Sequence, residues 1–250
     1  MKQKNDPYKP NEQTEVFPCP KWIRVYLGGK CIANSTNVKL VRESGQLPVY
    51  YFPQKDIEMS LLSKASEDAG KSIWTVQVDD TQAKESAWSY SDRPEIEDYI
   101  AFEWKKMDEW YEEDEQVYVH ARDPFKRIDV IASSRTVEVK MHGHIVAQTE
   151  RPVLLFETGL PIRYYIPKMD VRQDLLMPGN KKTQCPYKGN ATHFSIQVEG
   201  ESIENIAWSY TFPTPEMSKI KNMISFYQER LDDFYVNGQR IEKAKTPWSE

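Results

Sequence analysis

The chain repeats its own sequence, and this repeat limits the possible folds more than any other feature. The tyrosine pair of PVYYFPQKDIEMSLL (48–62) recurs in PIRYYIPKMDVRQDLL (161–176), with an offset of 114 residues from Tyr50 to Tyr164. The sequence AWSY occurs at 87–90 and again at 207–210, with an offset of 120 residues. Six residues are therefore gained in the second copy between these motifs, and the repeat predicts two domains of similar fold.

Each copy is predicted to contain several short strands and one helix. The segments 22–36 and 136–150 alternate polar and apolar residues around a glycine turn, which is typical of a β-hairpin, and SIWTVQV (72–78) matches THFSIQV (192–198). Both copies continue with a Pro-Glu start and an apolar stripe at helical spacing, which predicts helices over 94–114 and 215–235. The stripes are formed by Ile96, Ile100, Met107 and Trp110 in one copy and by Ile220, Ile224, Tyr227, Leu231 and Phe234 in the other. The expected fold is mainly β (α+β), with two repeated small β-rich domains that are each followed by a packing α-helix.

The limits of the two copies give a division of the chain into five segments. Residues 1–20 are assigned to an N-terminal extension, 21–119 to the first repeat, 120–135 to a connector, 136–240 to the second repeat and 241–250 to a C-terminal tail. The connector contains DPFK (123–126), which echoes DPYK (6–9).

Composition excludes several classes of partner. The net charge is −5 with a pI near 5.6, and the basic residues alternate with acidic ones, so we expect no nucleic-acid partner. No segment approaches the ~20 apolar residues that cross a bilayer, and no signal-peptide pattern is present, so we expect a soluble cytoplasmic protein without a membrane partner. Three cysteines without a Cys-x-x-Cys pair predict neither a disulfide framework nor a zinc site, and we expect no cofactor and no metal. Aromatic residues make up 12% of the chain, which favours a small organic molecule as the partner.

The motifs YLGGKCIANS, PVYYFP, RDPFKRIDV, RPVLLFETGLPIRYYIP, CPYKG and AWSY, in this order, resemble domain-of-unknown-function family 427 in its tandem form. The resemblance extends from about Trp22 to Tyr235. It implies a compact domain of the β-tent type, a fold shared with the drug-binding domain of cereblon and with methionine sulfoxide reductase B, with an open face where small molecules bind. It implies no particular reaction. A nucleotidyltransferase activity is not supported, because a glycine-rich phosphate loop and paired metal-binding carboxylates are not evident.

The second copy carries a motif that the first copy lacks. The motif is TQCPYKGNATHF (183–194). The first copy has SKASEDAGKS (63–72) where the second has MPGNKKTQCPYKGNAT (177–192), so chemistry that needs the cysteine is confined to the second repeat. Cys185, Lys188 and His193 are the catalytic candidates, because nearby positive charge stabilises a thiolate and because lysine and imidazole handle protons. Cys185 has two other interpretations, as a residue that lines a pocket or as part of a structural turn.

The candidate ligand-binding residues are aromatic or cationic: Tyr187, Trp208, Tyr210, Arg163 and Tyr165. Trp208 and Tyr210 alternate with small residues and therefore point to one side of a strand, in a pocket or in the core. Tyr165 follows Tyr164, so one ring can line a pocket while the other supports the fold. Arg163 replaces Val49 of the first copy and is expected either to hold an anionic group or to be solvated.

These candidates predict a small-molecule-binding protein whose pocket lies in the second repeat or at the cleft between the repeats. One hypothesis is a cofactor-free enzyme that performs hydrolysis, isomerisation or other acid-base chemistry on a small organic metabolite. The alternative is a non-catalytic ligand-binding or protein-interaction module. Two histidines in the hairpin turn MHGH (141–144) could join His193 and Cys185 as metal ligands, but no pair has the spacing of a familiar zinc module.

Overall fold

A computed structural model of the chain describes residues 14–43 and 46–246. The chain divides into two compact units between Pro124 and Phe125. Both units are built mainly of β-strands, as the sequence predicts, and the described residues contain no α-helix. The DPYK segment at 6–9 lies outside the described residues. Within 14–43 and 46–246, no helix has both the length and the apolar character needed to span a membrane.

The described part of the first unit contains eleven strands in two antiparallel sheets. The strands are β1 (Glu15–Pro18), β2 (Ile23–Leu27), β3 (Lys30–Ser35), β4 (Lys39–Arg42), β5 (Val49–Pro53), β6 (Leu62–Asp68), β7 (Lys71–Val78), β8 (Thr81–Tyr90), β9 (Tyr99–Phe102), β10 (Glu109–Glu112) and β11 (Glu115–Gln116). The larger sheet has the order β1-β4-β5-β9-β8-β7-β6, and the smaller sheet has the order β11-β10-β2-β3.

The second unit repeats this topology strand for strand. Its strands are β12 (Ile128–Ala132), β13 (Val137–Met141), β14 (His144–Thr149), β15 (Val153–Glu157), β16 (Arg163–Ile166), β17 (Leu176–Cys185), β18 (Gly189–Val198), β19 (Glu201–Pro213), β20 (Ile224–Phe226), β21 (Asp233–Val236) and β22 (Gln239–Arg240). The larger sheet has the order β12-β15-β16-β20-β19-β18-β17, which matches the first unit. The smaller sheet has the order β22-β21-β13-β14, in which the strands correspond to β11, β10, β2 and β3. β1 and β12, which lie in the segments assigned to the extension and the connector, each form one edge of a larger sheet, and β6 and β17 form the other edges.

The two predicted packing helices are wrong. Residues 94–114 form β9, the 3-10 turn Trp104–Lys106 and β10, and residues 215–235 form the 3-10 turn Pro215–Ile220, β20, the 3-10 turn Gln228–Arg230 and most of β21. The residues of both predicted stripes are nevertheless buried. Two short strands joined by a turn place apolar residues at spacings that resemble a helical stripe, so periodicity alone does not separate the two structures. Pairing decides between them, because β9 and β20 each hydrogen-bond between two strands of a larger sheet.

Further 3-10 turns follow the tyrosine-pair strands. They span Gln54–Asp56, Met59–Leu61 and Lys168–Asp170. In each unit the larger and smaller sheets bury a common apolar core. Ile166, Ile196 and Ile224 are fully buried in the second unit, and Ile23, Phe52 and Ile100 are fully buried in the first. Burial of such side chains is the main favourable contribution to the stability of each fold.

The residues gained by the second copy lie mainly in one hairpin. In the first unit Asp68 on β6 pairs with Lys71 on β7, so only Ala69 and Gly70 form the turn. At the corresponding position Thr183 on β17 pairs with Ala191 on β18, and the hairpin continues to the pair Cys185 and Gly189. The cysteine motif is therefore an extension of a hairpin that both units share.

Candidate functional site

Several predicted site residues lie on one face of the larger sheet of the second unit. Tyr165 on β16 is paired with Ser225 on β20, Ser225 with Trp208 on β19, and Trp208 with His193 on β18. Residues that are directly opposite each other on neighbouring strands share a face of the sheet. These four residues therefore form a row across the sheet.

Tyr165 and Trp208 contact each other and are buried. The Trp208 Nε1 donates a hydrogen bond of 3.2 Å to the Tyr165 hydroxyl, and the two rings lie perpendicular with centroids 6.4 Å apart. The first unit contains the same pair, in which Trp88 Nε1 donates to the Tyr51 hydroxyl at 2.9 Å and the centroids are again 6.4 Å apart. Burial raises the pKa of both phenols, to about 12 for Tyr51. This pair belongs to the framework that the two units share.

Arg163 is buried and forms an ion pair with Glu229. Its Nη1 and Nη2 donate hydrogen bonds of 2.6 and 2.8 Å to the two carboxylate oxygens, so the pair is bidentate. The guanidinium also lies 5.5 Å from the ring centroid of Trp208 and 5.9 Å from that of Tyr227. Burial alone would raise the pKa of the Glu229 carboxyl, but Arg163, together with a hydrogen bond from Thr246, lowers it. Arg163 thus holds a carboxylate, as one of the two hypotheses requires, but that carboxylate belongs to the protein.

His193 is enclosed and neutral. Its side chain is buried, its Nε2 lies 2.9 Å from the Thr183 hydroxyl, and its ring stacks on Tyr227 at a centroid distance of 6.0 Å. Among the described residues, Nδ1 has no partner within hydrogen-bond geometry, and the nearby Asn205 backbone acts to raise the pKa of the ring. Burial, followed by the charge of Lys181, lowers the pKa of His193 to about 4. At neutral pH the ring therefore carries no charge that could stabilise a thiolate.

The cysteine motif forms the end of the β17–β18 hairpin. Cys185 is the last residue of β17 and lies opposite Gly189, the first residue of β18. Gly189 has a φ of +97°, and a Cβ at this position would lie 2.9 Å from the Phe212 carbonyl oxygen, so the turn requires glycine. Thr214 donates a hydrogen bond of 2.8 Å to the Tyr187 carbonyl oxygen and ties the turn to the residue that follows β19. Cys185, Tyr187 and Lys188 are all half-buried.

Two lysines from separate parts of the second unit contact one buried carboxylate. Glu157 ends β15, and its side chain is only 5% exposed. Lys188 Nζ lies 2.5 Å and Lys126 Nζ 2.9 Å from its carboxylate oxygens. Burial by itself would raise the pKa of Glu157, but Lys188 and then Lys126 hold it below its ordinary value. Lys126 Nζ also lies 5.6 Å from the centroid of the Tyr187 ring.

Cys185 and Glu157 share an electrostatic environment with two buried phenols. Burial raises the pKa of Tyr210, and Tyr165, Cys185 and Glu157 add to this rise. Cys185 and Glu157 also raise the pKa of Tyr165, after burial. The structure therefore brings these four residues and Lys188, which is bound to Glu157, into one neighbourhood. The surroundings of His193 are different, since Thr183, Lys181 and Tyr227 are its neighbours.

Comparison of the two copies contains signals for residues that the sequence analysis missed. Glu157 corresponds to Glu43, and the acid of the first copy pairs with Arg93 at 2.8 Å. Glu229 was also missed. It corresponds to Lys105 in the matching 3-10 turn of the first copy, and its partner Arg163 corresponds to Val49. A gained arginine together with a lysine replaced by glutamate predicts an ion pair. The other missed neighbours are Thr183, Tyr227 and Lys126.

The turn histidines bind nearby acids. His144 Nε2 lies 2.9 Å from Glu199, and the His142 backbone N–H donates a 2.7 Å hydrogen bond to Asp232. Both histidine side chains are partly exposed. In the part of the chain that the structure describes, no three histidine, cysteine, aspartate or glutamate side chains form a group that could hold a metal ion.

Two cavities border the smaller sheet of the second unit. One has a volume of about 450 Å³ and is lined by Gln228, Leu231, Asp232, Phe234, Arg240, Ile241, Glu242 and Lys243. The other has a volume of about 370 Å³ and is lined by Thr136, Val137, Glu138, Lys140, Gln148, Thr149, Glu150, Tyr235 and Gly238. Neither cavity is lined by a residue that the sequence assigned to the site. The predicted residues instead form a closed face with a half-buried hairpin end.

Sequence comparison agrees with the division into two similar units. No curated protein matches the chain. The family profile described as a domain of unknown function (DUF427) matches residues 15–113 and 129–237, and each match includes all or most of an edge strand, β1 or β12. These matches cover most of the chain. The protein therefore belongs to the DUF427 family and contains two tandem copies of its domain.

Proposed function

We propose that the second domain binds a small organic molecule at the end of the β17–β18 hairpin and that the first domain is a scaffold without this site. One observation carries the proposal: the second unit adds Cys185, Tyr187 and Lys188 to a topology that the first unit forms without them. Because the first unit folds without this extension, its half-buried thiol, ring and ammonium are candidates for a role in binding. The open ligand-binding face that a β-tent-like fold implies is consistent with this position.

The geometry favours binding over acid-base catalysis. His193 is enclosed and neutral, with a pKa of about 4, so exchange of protons with a substrate at neutral pH is hindered. Lys188 is held by Glu157 and acts as a fixed cation. The catalytic alternative depends on Cys185 as a nucleophile, with the second domain acting on a small metabolite without a cofactor.

Exchange of the hairpin end tests the proposed site. In the test variant, residues 183–191 are replaced by Asp-Ala-Gly-Lys, the sequence that closes the equivalent hairpin at 68–71. Both proteins are exposed to a cell extract, and the retained compounds are identified by mass spectrometry. We expect at least one compound to be retained by the natural chain and lost by the variant, because the variant lacks the added polar groups.

Folding of the variant is checked by circular dichroism and by its thermal midpoint. The first unit already closes its hairpin with this turn, so the strands on either side are expected to pair normally. Retention of the same compounds by both proteins would remove the site from the hairpin. Failure of the natural chain to retain any compound would contradict the proposed function.

Thiol reactivity separates the binding and catalytic hypotheses. Cys19 is 3% exposed and burial raises its pKa, so we expect it to react slowest with iodoacetamide in the folded protein. Cys31 and Cys185 are both half-buried and are expected to react at similar rates, because the Lys188 ammonium donates its hydrogen bond to the Glu157 carboxylate. Peptide mass spectrometry over a time course measures each rate. Reaction of Cys185 about tenfold faster than that of Cys31 would favour the nucleophile.

A further inference from the structure

The cluster of Lys126, Glu157 and Lys188 carries an uncompensated positive charge. Two ammonium groups contact one carboxylate, and among the described residues neither lysine has a second acidic partner. The corresponding acid in the first unit, Glu43, forms a one-to-one pair with Arg93, and both of those side chains are about 40% exposed. The second unit has thus added a cation, and it has placed the group where solvent screens it less.

Hydrogen-bonding capacity also remains in this cluster. An ammonium group has three N–H donors, and contact with Glu157 uses one donor of each lysine. The side chains of Lys126 and Lys188 are 26% and 13% exposed, so the remaining donors are only partly hydrated. Within 14–43 and 46–246 the other donors of these two lysines have no hydrogen-bond partner, and a fixed pair of cations with such donors in a region of reduced solvation favours an anion.

An aromatic ring stands beside these donors. Tyr187 lies in the hairpin turn next to Lys188, it is half-buried, and its ring centroid is 5.6 Å from Lys126 Nζ. A flat ring of a ligand could stack on Tyr187 while an attached negative group contacts the lysines. A ligand without a ring would gain the ionic contact alone.

We infer that this site recognises a small organic carboxylate on a flat ring, with Lys126 and Lys188 binding the carboxylate and Tyr187 contacting the ring. The inference rests on the proposed function and names the class of ligand for the same site. Glu157 positions the two ammonium groups through its contacts with both. The hairpin extension supplies Lys188 and Tyr187, which explains why the shorter hairpin of the first unit cannot form the site.

Benzoate, benzamide and acetate are suitable probes, titrated into the full chain and followed by calorimetry or by NMR shifts. Benzamide keeps the ring and removes the charge, whereas acetate keeps the charge and removes the ring. We expect benzoate to bind at least about 10-fold more tightly than benzamide, since a hydrogen bond between charged groups is lost with the carboxylate. We also expect acetate to bind more weakly than benzoate.

Lys188→Met tests the residue assignment. This variant keeps most of the length of the side chain and leaves Glu157 paired with Lys126, so the domain is expected to fold. Benzoate affinity is expected to fall about 10-fold or more. Lys182→Met is the matched control, because Lys182 is an exposed lysine on the same hairpin, and it should leave the affinity unchanged.

Three results would overturn the inference: undetectable benzoate binding, equal affinities for benzoate and benzamide, or unchanged affinity in Lys188→Met. The replacement of residues 183–191 distinguishes a failure of this inference from a failure of the proposed function. Capture of a neutral compound that depends on the hairpin would retain the proposed function and reject the anionic ligand. Failure of the natural chain to capture any compound would reject the function itself.

Discussion

Replacing Arg163 with methionine is expected to destabilise the second domain by about 3–5 kcal/mol, because Glu229 would remain as a buried charge without its bidentate partner. The side chains of Arg163 and Glu229 are 9% and 1% exposed, so water cannot replace the lost contacts. Urea unfolding at neutral pH, combined with hydrogen exchange of the β16 and β19 amides, measures the change in this domain.

The double variant Arg163→Met/Glu229→Gln shows whether the loss of stability comes from the unpaired, buried Glu229 carboxylate. It removes both charges and leaves an amide that can still accept from Thr246, so we expect it to recover much of the lost stability. Arg172→Met is the control. Arg172 pairs with Asp174 in an ion pair that is more than half exposed, and its loss should leave the free energy of unfolding nearly unchanged because solvent screens the pair. A small effect of Arg163→Met alone would contradict the argument.

Acid is expected to destabilise the second domain through His193 in the pH range between 6.5 and about 4. The folded pKa of His193 is about 4, below its ordinary value of 6.5, because burial disfavours the charged ring. Above pH 6.5 the ring is neutral in both states and contributes nothing to the pH dependence. Below pH 6.5 the unfolded chain takes up a proton that the folded chain does not, so stability falls with decreasing pH. The total loss is about 3 kcal/mol by pH 4.

His193→Ile is expected to abolish this part of the acid dependence. Isoleucine is the residue of the first unit at the equivalent position, Ile73, where the strand pairs with Trp88 as His193 pairs with Trp208. Stability of both proteins is measured by urea unfolding between pH 6.5 and 4.5. The lowered pKa values of Glu157 and Glu229 affect stability mainly below this range, as pH falls through the folded pKa of each.

His144→Gln provides a control for the loss of a histidine as such. His144 lies in the β13–β14 turn with its side chain about half exposed, so its removal should leave the acid dependence between pH 6.5 and 4.5 nearly unchanged. An equal loss of stability in the natural chain and in His193→Ile would mean that the buried imidazole is not the responsible group.

The apolar pattern at 215–235 correctly predicted which side chains are buried but not the backbone conformation that buries them. Ile220, Ile224, Tyr227, Leu231 and Phe234 are buried as the pattern requires. They are nevertheless distributed over a 3-10 turn (Ile220) and two strands (Ile224 and Phe234), and Tyr227 and Leu231 flank a second 3-10 turn. Apolar spacing reports which side chains avoid water. Whether a short apolar segment becomes a helix or a strand depends on the availability of a partner strand, here β16 and β19 for β20.

For the candidate site, too, the sequence identified residues but not their contacts. Residue types and the comparison of copies identified the hairpin and the residues that the second copy gained. They did not identify the partners of those residues. Glu229 is 66 residues from Arg163, and Glu157 is 31 residues from Lys188. Such contacts depend on strand order and register, which bring distant segments together.

The sequence by itself determined that this protein contains two similar domains, that both are mainly β, and that only the second carries the cysteine motif. These conclusions follow from the alternation of polar and apolar residues and from the sequence repeat, which involve neighbouring residues and do not depend on tertiary contacts. The tertiary structure decided that Arg163 binds Glu229, that His193 is enclosed, and that Lys126 and Lys188 converge on Glu157. The physical reason is that burial and ionic pairing depend on the packing of distant strands, whereas periodicity reports only the neighbours along the chain.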